Sequence, residues 1–199
     1  MHNTSKIQLI VGLGNPGPQY QSTRHNAGAW FVEALAQEQQ VNLREEKRFR
    51  GLFAQYTIAG NKIILLIPQT YMNLSGDSVL AAAHYFQIPA QNILVAHDEL
   101  DLPVGTVKLK TGGGHAGHNG LKDIINKLGS KEFWRLRIGI DHPRQHNIHQ
   151  AVADYVLAKP STQDDQKIEA AIDQSVKIAD LLYQGAFDQA MQKLHSHST

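Results

Sequence analysis

Five side chains in this 199-residue sequence have the types and positions for hydrolytic chemistry: Asn15, His25, Asn73, Asp98 and Asn119. Each falls at a strand end or a helix start, beside glycines or turn residues. In open α/β sheets, sites form there, where the carboxyl ends of strands face helix N-termini. A histidine beside a carboxylate has a defined tautomer, and its free nitrogen can abstract a proton. The dipole at a helix start disfavours imidazolium, so His25 is expected to stand ready as a neutral base. Asparagine amides are neutral donors suited to a carbonyl or a developing oxyanion. Asn15, Asn73 and Asn119 also fit as plain turn and cap residues, and spacing alone leaves both readings open.

Two other patterns suggest different chemistry. Gly12-x-Gly14-x-x-Gly17 follows a strand and matches the dinucleotide-binding fingerprint. Pro16 and Pro18 intrude where the helix should begin, however, and the helical pattern waits until about Asn26. Glu33 lies inside that helix instead of ending a second strand, so no nucleotide site is expected. The group His97, Asp98, Asp101, His115 and His118 could suggest a metal, with His115 and His118 one helical turn apart. The glycines around them point to a loop, and there is neither cysteine nor an HExxH pattern. These histidines read as loop residues with local hydrogen bonds, and no metal is expected.

The elements that must position these residues follow from periodicity. Residues 7–11 form a short apolar run that reads as a buried strand. Ala27, Trp30, Phe31, Ala34 and Leu35 recur on one helical face, with Asn26 as a preferred N-cap. Runs at 52–58 and 62–67 flank Gly60-Asn61, a two-residue hairpin signal. Ser75 can cap a helix carrying Val79, Leu80, Ala83 and Phe86. Residues 93–96 form a strand that delivers His97 and Asp98 at its end. A Gly-rich loop, 112–120, opens a helix stopped by Gly129. Trp134, Leu136, Ile138 and Ile140 alternate with Arg135 and Arg137, as in a half-buried strand. Ser161 caps a C-terminal helix, and a shorter one follows Gly185. Strands alternating with helices, plus a hairpin, indicate one α/β domain with a twisted mixed β-sheet flanked by helices, spanning 1–199 with a core of about 7–194. The polar, His-rich segment 141–149 is the candidate for a mobile flap.

The totals narrow the classes. Apolar residues make up 42% and charged residues 19%, which is globular composition and not disorder. No apolar run is long enough to cross a bilayer, and the first residues lack the hydrophobic stretch of a secretory leader. With no cysteine, thiolate chemistry is excluded and a reducing cytosolic address is expected. Net charge is only +1, but residues 106–137 hold seven basic against two acidic side chains, a local +5. Taken alone, that charge reads as solvated surface.

At the same residues the sequence resembles bacterial peptidyl-tRNA hydrolase. The strings are 11–17 (VGLGNPG), Tyr20, 23–28 (TRHNAG), 71–76 (YMNLSG), 97–103 (HDELDLP), 117–121 (GHNGL) and 137–140 (RIGI), in order over nearly the whole chain. The resemblance implies an esterase that frees tRNA from peptidyl-tRNA dropped by the ribosome, with no metal or other cofactor. It implies that His25 activates water, oriented by Asp98. Asn15 would contact the peptide backbone and help reject free aminoacyl-tRNA. Asn73 and Asn119 would hold substrate and the attacking water or oxyanion. Tyr20 and Tyr71 would line the site near the terminal adenosine or first peptide unit, and Lys110 and Arg137 would clamp the tRNA 5′-phosphate. Alternation puts Lys108 with Lys110, and Arg135 with Arg137, on shared faces. The partner would be peptidyl-tRNA, with no membrane, and the protein a cytoplasmic monomer. Three positions depart from the family: Tyr71 where Phe is common, and Ala116 and Asp141 where Gly is usual. Asp141 also adds negative charge to a loop expected to face tRNA.

Overall fold

The structure, a computed structural model, describes residues 5–146 and 150–195. Among them seven strands form one sheet: β1 (Leu9–Gly12), β2 (Arg44–Glu46), β3 (Gly51–Ile58), β4 (Asn61–Pro68), β5 (Ile93–Glu99), β6 (Val107–Thr111) and β7 (Trp134–Gly139). Their order is β2-β3-β4-β1-β5-β7-β6. The centre is parallel, β1 with β4 and β5, and β5 with β7. β2, β3 and β6 extend it as antiparallel edges.

Helices cover both faces of the centre, which is why its strands are apolar on both sides of the pleat. On one face, Leu9, Val11, Ile64, Leu66, Ile93 and Val95 pack under α2 (Ser75–Phe86) and α3 (Asn119–Leu128). On the other, Ile10, Ile63, Leu65, Leu94 and Ala96 pack under α1 (Ala27–Glu38). The same face carries α4 (Val152–Val156), α5 (Thr162–Lys177), α6 (Ala179–Tyr183) and α7 (Phe187–His195).

Local chemistry differs from the sequence expectations at three points. The two-residue turn between β3 and β4 is Ala59-Gly60, one residue earlier than Gly60-Asn61, because Ile58 pairs with Asn61. Both turn residues have positive φ, 48° and 76°, as a primed hairpin turn needs. Ser75 is the first residue of α2, not its cap, and its hydroxyl donates back to the Met72 carbonyl at 2.8 Å. The short helix α4 has no counterpart in the periodicity reading. Gly129, with φ 64°, ends α3, and Ser161 caps α5 by accepting from Asp164 N, both as expected.

The site depends on how closely the start of α1 approaches the strand ends. A Cβ on Gly28 would lie 2.1 Å from the Ala96 carbonyl oxygen, and one on Gly12 would lie 2.4 Å from the Gly28 oxygen. Only glycine at both positions lets the helix touch the backbones of β1 and β5. We therefore expect Gly28→Ala to lower stability by about 3 kcal/mol, since overpacking against backbone cannot be relieved by a rotamer change. A thermal melt followed by circular dichroism measures this, and an unchanged midpoint would contradict the close packing.

Candidate active site

His25 lies in a single 3-10 turn, Arg24–Asn26, that leads into α1. Both neighbours hold the turn in place. Arg24 Nη1 donates to the carbonyls of Tyr155, Ala158 and Lys159 at 3.2 to 3.3 Å. Asn26 occupies the N-cap position of α1, as expected, but its side chain does no capping. Its Oδ1 accepts from Asn15 N at 2.9 Å and its Nδ2 donates to the Asn15 carbonyl at 3.0 Å. The residue after the histidine thus fixes the loop that carries Asn15.

Asp98 follows Leu94 and Ala96 by the two-residue alternation of β5, toward the face that carries α1. His25 Nδ1 donates to Asp98 Oδ1 at 2.9 Å. A second imidazole reaches the same oxygen: His118 Nε2 donates to Asp98 Oδ1 at 2.9 Å. His118 is the N-cap of α3, and its Nδ1 accepts from Gly120 N at 3.2 Å and Leu121 N at 3.4 Å. The local hydrogen bond expected for His118 is present, but its bond to Asp98 is not visible in the sequence.

Burial on its own would raise the Asp98 carboxyl, which is 3% exposed. The charges and hydrogen bonds of His25 and His118 outweigh that and hold it well below the usual carboxylate range. For His25, burial acts to lower the pKa, but the charge and hydrogen bond of Asp98 together raise it above 6.5. This corrects the expectation from the helix dipole: a carboxylate at 2.9 Å outweighs both burial and the helix start. His97 goes the other way. Burial, then the neighbouring His118, push it down to about 3, and its Nδ1 donates to the Asp98 carbonyl at 2.7 Å.

His25, Asp98 and His118 bring three possible ligand atoms within 4.8 Å of one another. The hydrogen-bond pattern does not suit a metal. Ligation through His118 Nε2 would put the ring proton on Nδ1, facing the N–H groups of Gly120 and Leu121.

These groups open onto a cavity of about 730 Å³ at the carboxyl ends of the parallel strands. It is lined by six of the nine residues to which the resemblance gives roles, Asn15, His25, Tyr71, Asn73, Asp98 and Asn119, and by His97, Asp101, His115 and His118. Asn15 Oδ1 accepts from Met72 N at 2.8 Å, so its amide is oriented with Nδ2 left to donate. Tyr71 is 59% exposed at the mouth. Val152, Ala153, Val156 and Leu157 add an apolar wall from α4. Their recurrence at i, i+1, i+4 and i+5 is the available signal, in a segment too short to stand out.

Three expected residues lie elsewhere. Tyr20 is not in the cavity lining; it sits in the turn before His25, its carbonyl accepting from Thr23 N and Oγ1. Lys110 and Arg137 lie on β6 and β7, where Lys108 pairs with Arg137 and Lys110 with Arg135. Lys108 and Lys110 are exposed. Arg137 Nε donates to Glu99 Oε2 at 2.8 Å, and Glu99 lines the cavity, so the basic edge adjoins it. Arg135, expected on one face with Arg137, is 4% exposed. Its guanidinium donates to the carbonyls of Gly113 and Gly114 and lies 4.8 Å from the centre of the Phe133 ring. It therefore pins the Gly-rich loop.

The departures at Ala116 and Asp141 have a backbone explanation. Their φ angles are +47° and +65°, in the left-handed region where glycine carries no steric cost and Asp is tolerated better than most. Of the expected flap, Pro143–His146 forms a 3-10 turn and His142 lines the cavity, while residues 147–149 lie outside the described residues.

Fold and site together define a class of protein, a hydrolytic enzyme of α/β architecture with a carboxylate-held histidine over an amide-rimmed cavity. The family described as peptidyl-tRNA hydrolase matches residues 9–199. The peptidyl-tRNA hydrolase of Tolumonas auensis is 54% identical, covering 97% of both chains. That of Aeromonas hydrophila is 53% identical, over 97% of this chain and 96% of its own. A crystal structure of the Acinetobacter baumannii peptidyl-tRNA hydrolase superposes with a TM-score of 0.90 at 46% identity, covering 96% of this chain and 95% of that one. The chain belongs to the peptidyl-tRNA hydrolase family.

The raised His25 pKa separates stability from availability as a base. Its bond to Asp98 stabilises the fold fully below the unfolded value near 6.5, and that contribution is lost as pH rises through the folded value. An NMR titration should show His25 with a midpoint above 6.5 in the wild type. In Asp98→Asn the midpoint should fall below 6.5, because burial then acts alone. A midpoint that does not move would contradict the Asp98 assignment.

Proposed function

We propose that this chain hydrolyses the ester joining a peptide to the 3′ ribose of tRNA, with His25 as the general base. The observation that carries this reading is the 2.9 Å bond from His25 Nδ1 to Asp98 Oδ1 inside the cavity. That bond fixes the tautomer and leaves Nε2 as the nitrogen that takes a proton from water. As the water oxygen bonds to the ester carbonyl carbon, the proton moves to Nε2. Asn119 and Asn73 offer amide donors to the oxyanion or the incoming water. When the carbon–oxygen bond to ribose breaks, the 3′ oxygen recovers the proton from His25. An ester is activated enough for an oriented water and a few donors, with no covalent intermediate.

Asn15 is the residue that can sense the substrate's amino end. Its Oδ1 is committed to Met72 N, so it presents an N–H donor. That donor suits a peptide carbonyl and gives nothing to the ammonium of a free aminoacyl group. Tyr71 at the mouth and Tyr20 in the turn before His25 are the candidate contacts for the terminal adenosine or first peptide unit. Lys110 and Arg137 meet the 5′-phosphate. Glu99 on Arg137 Nε leaves the two Nη groups to the phosphate. The tRNA substrate supports a cytoplasmic setting, and among the described residues no helix is long and apolar enough to cross a membrane.

The test is release of N-acetyl-aminoacyl groups from tRNA. The wild type should cleave the blocked substrate and spare free aminoacyl-tRNA, and Asn15→Ala should narrow that preference. Lys110→Ala and Arg137→Ala should raise KM more than they lower kcat, and wild-type kcat/KM should fall with added salt as phosphate contacts release counterions. Binding of tRNA with no turnover by the wild type would overturn the reading.

A further inference from the structure

Asp98 Oδ1 accepts two hydrogen bonds at the same length, and only one comes from the proposed base. The other donor, His118, is fixed at its far end. Its Nδ1 is occupied by two backbone N–H groups at the start of α3, so the ring proton sits on Nε2 and points at Asp98. The His25 and His118 ring centroids are 5.0 Å apart, with the carboxylate oxygen shared between them. Asn119, the next residue, begins the helix that His118 caps and lines the same cavity. We propose that His118 is a positioning residue for the hydrolysis: its donation to Asp98 limits that carboxylate's pull on His25 and holds Asn119 in register with the base. This rests on the reading of His25 as the base given above.

A carboxylate oxygen that already accepts a hydrogen bond is a weaker acceptor for the next. With His118 present, the buried charge of Asp98 is divided between a donor anchored by the helix and the ring that must lose and regain a proton. Without it, the whole charge bears on His25, the ring holds its proton more tightly, and less of it is a free base near neutrality. The other groups around His25 do not supply a substitute. Arg24, on the same turn, points to the carbonyls at 155, 158 and 159. From β5, His97 is committed to a backbone carbonyl and Glu99 to Arg137 and the Asp101 amide. Asp101, His115 and His142 line the cavity without a hydrogen bond to Asp98.

Two substitutions separate the donor from the cap. Asparagine places an oxygen where histidine has Nδ1, keeping the cap and losing the donor. Glutamine places its amide nitrogen where histidine has Nε2, keeping the donor and losing the cap. Each variant is read by NMR titration of His25 and by kcat and KM on N-acetyl-aminoacyl-tRNA across pH. We expect H118N to raise the His25 midpoint by about one pH unit and to lower kcat at neutral pH about tenfold. KM should stay within about twofold, because the phosphate contacts on β6 and β7 are untouched. H118Q should titrate and turn over close to wild type although its melting temperature falls from the lost cap. The proposal is overturned if H118N titrates and turns over as wild type, or if H118Q is the impaired variant, since capping would then be the whole role. Failure of the underlying base reading shows separately, as undiminished turnover in His25→Ala.

Discussion

A carboxylate removed from water has to be compensated by donors, and much of this molecule can be understood from how Asp98 meets that requirement. It is buried at the end of a central strand, where burial alone would neutralise it. Two imidazoles keep it ionised, one from the turn before α1 and one from the cap of α3. Those rings arrive from opposite layers of the sandwich, so the charge ties both helical layers to the sheet. Glycines at 12 and 28 bring α1 onto the strand backbones. Gly120 lets the start of α3 pack closely on the turn before α2, where a Cβ would lie 2.6 Å from Met72 Sδ. Arg135 fastens the loop before His118 through the carbonyls of Gly113 and Gly114.

The surrounding cavity divides its work by chemistry. One side holds His25 and the amide donors, with Asn15 oriented by Met72 N and Asn26. Another is the apolar wall of α4, suited to the body of a peptide and not to its charge. Beyond Glu99 the basic edge begins, and the same carboxylate that lines the cavity holds Arg137. Glu99, adjacent to Asp98, thereby links the cavity lining to the basic edge.

Much of this was legible in the sequence because it depends on local signals. Short apolar runs gave the central strands, and the helical face from Ala27 to Leu35 gave α1. Asn15, His25, Asn73, Asp98 and Asn119 were identified by position at strand ends and helix starts, and the structure gathers them around one cavity. What escaped depends on contacts distant in sequence. His118 looked like a loop residue because its partner is 20 residues away, on another element. Arg135 alternated with apolar residues as a surface cation would, yet the glycine carbonyls at 113 and 114 make a buried place for it. The helix dipole at His25 is small beside a carboxylate at hydrogen-bond distance. Asn26 and Ser75 were correct helix-start residues whose side chains turned to neighbouring loops.

The central claim is that His25, held by Asp98, takes the proton from water. The most direct measurement is the pH dependence of kcat on N-acetyl-aminoacyl-tRNA, compared with the His25 titration in the same protein. The account predicts a single ascending limb whose midpoint lies above 6.5, the direction in which Asp98 shifts the ring, and a loss of roughly a hundredfold or more in His25→Ala. A flat profile across that range, with turnover intact in His25→Ala, would contradict it.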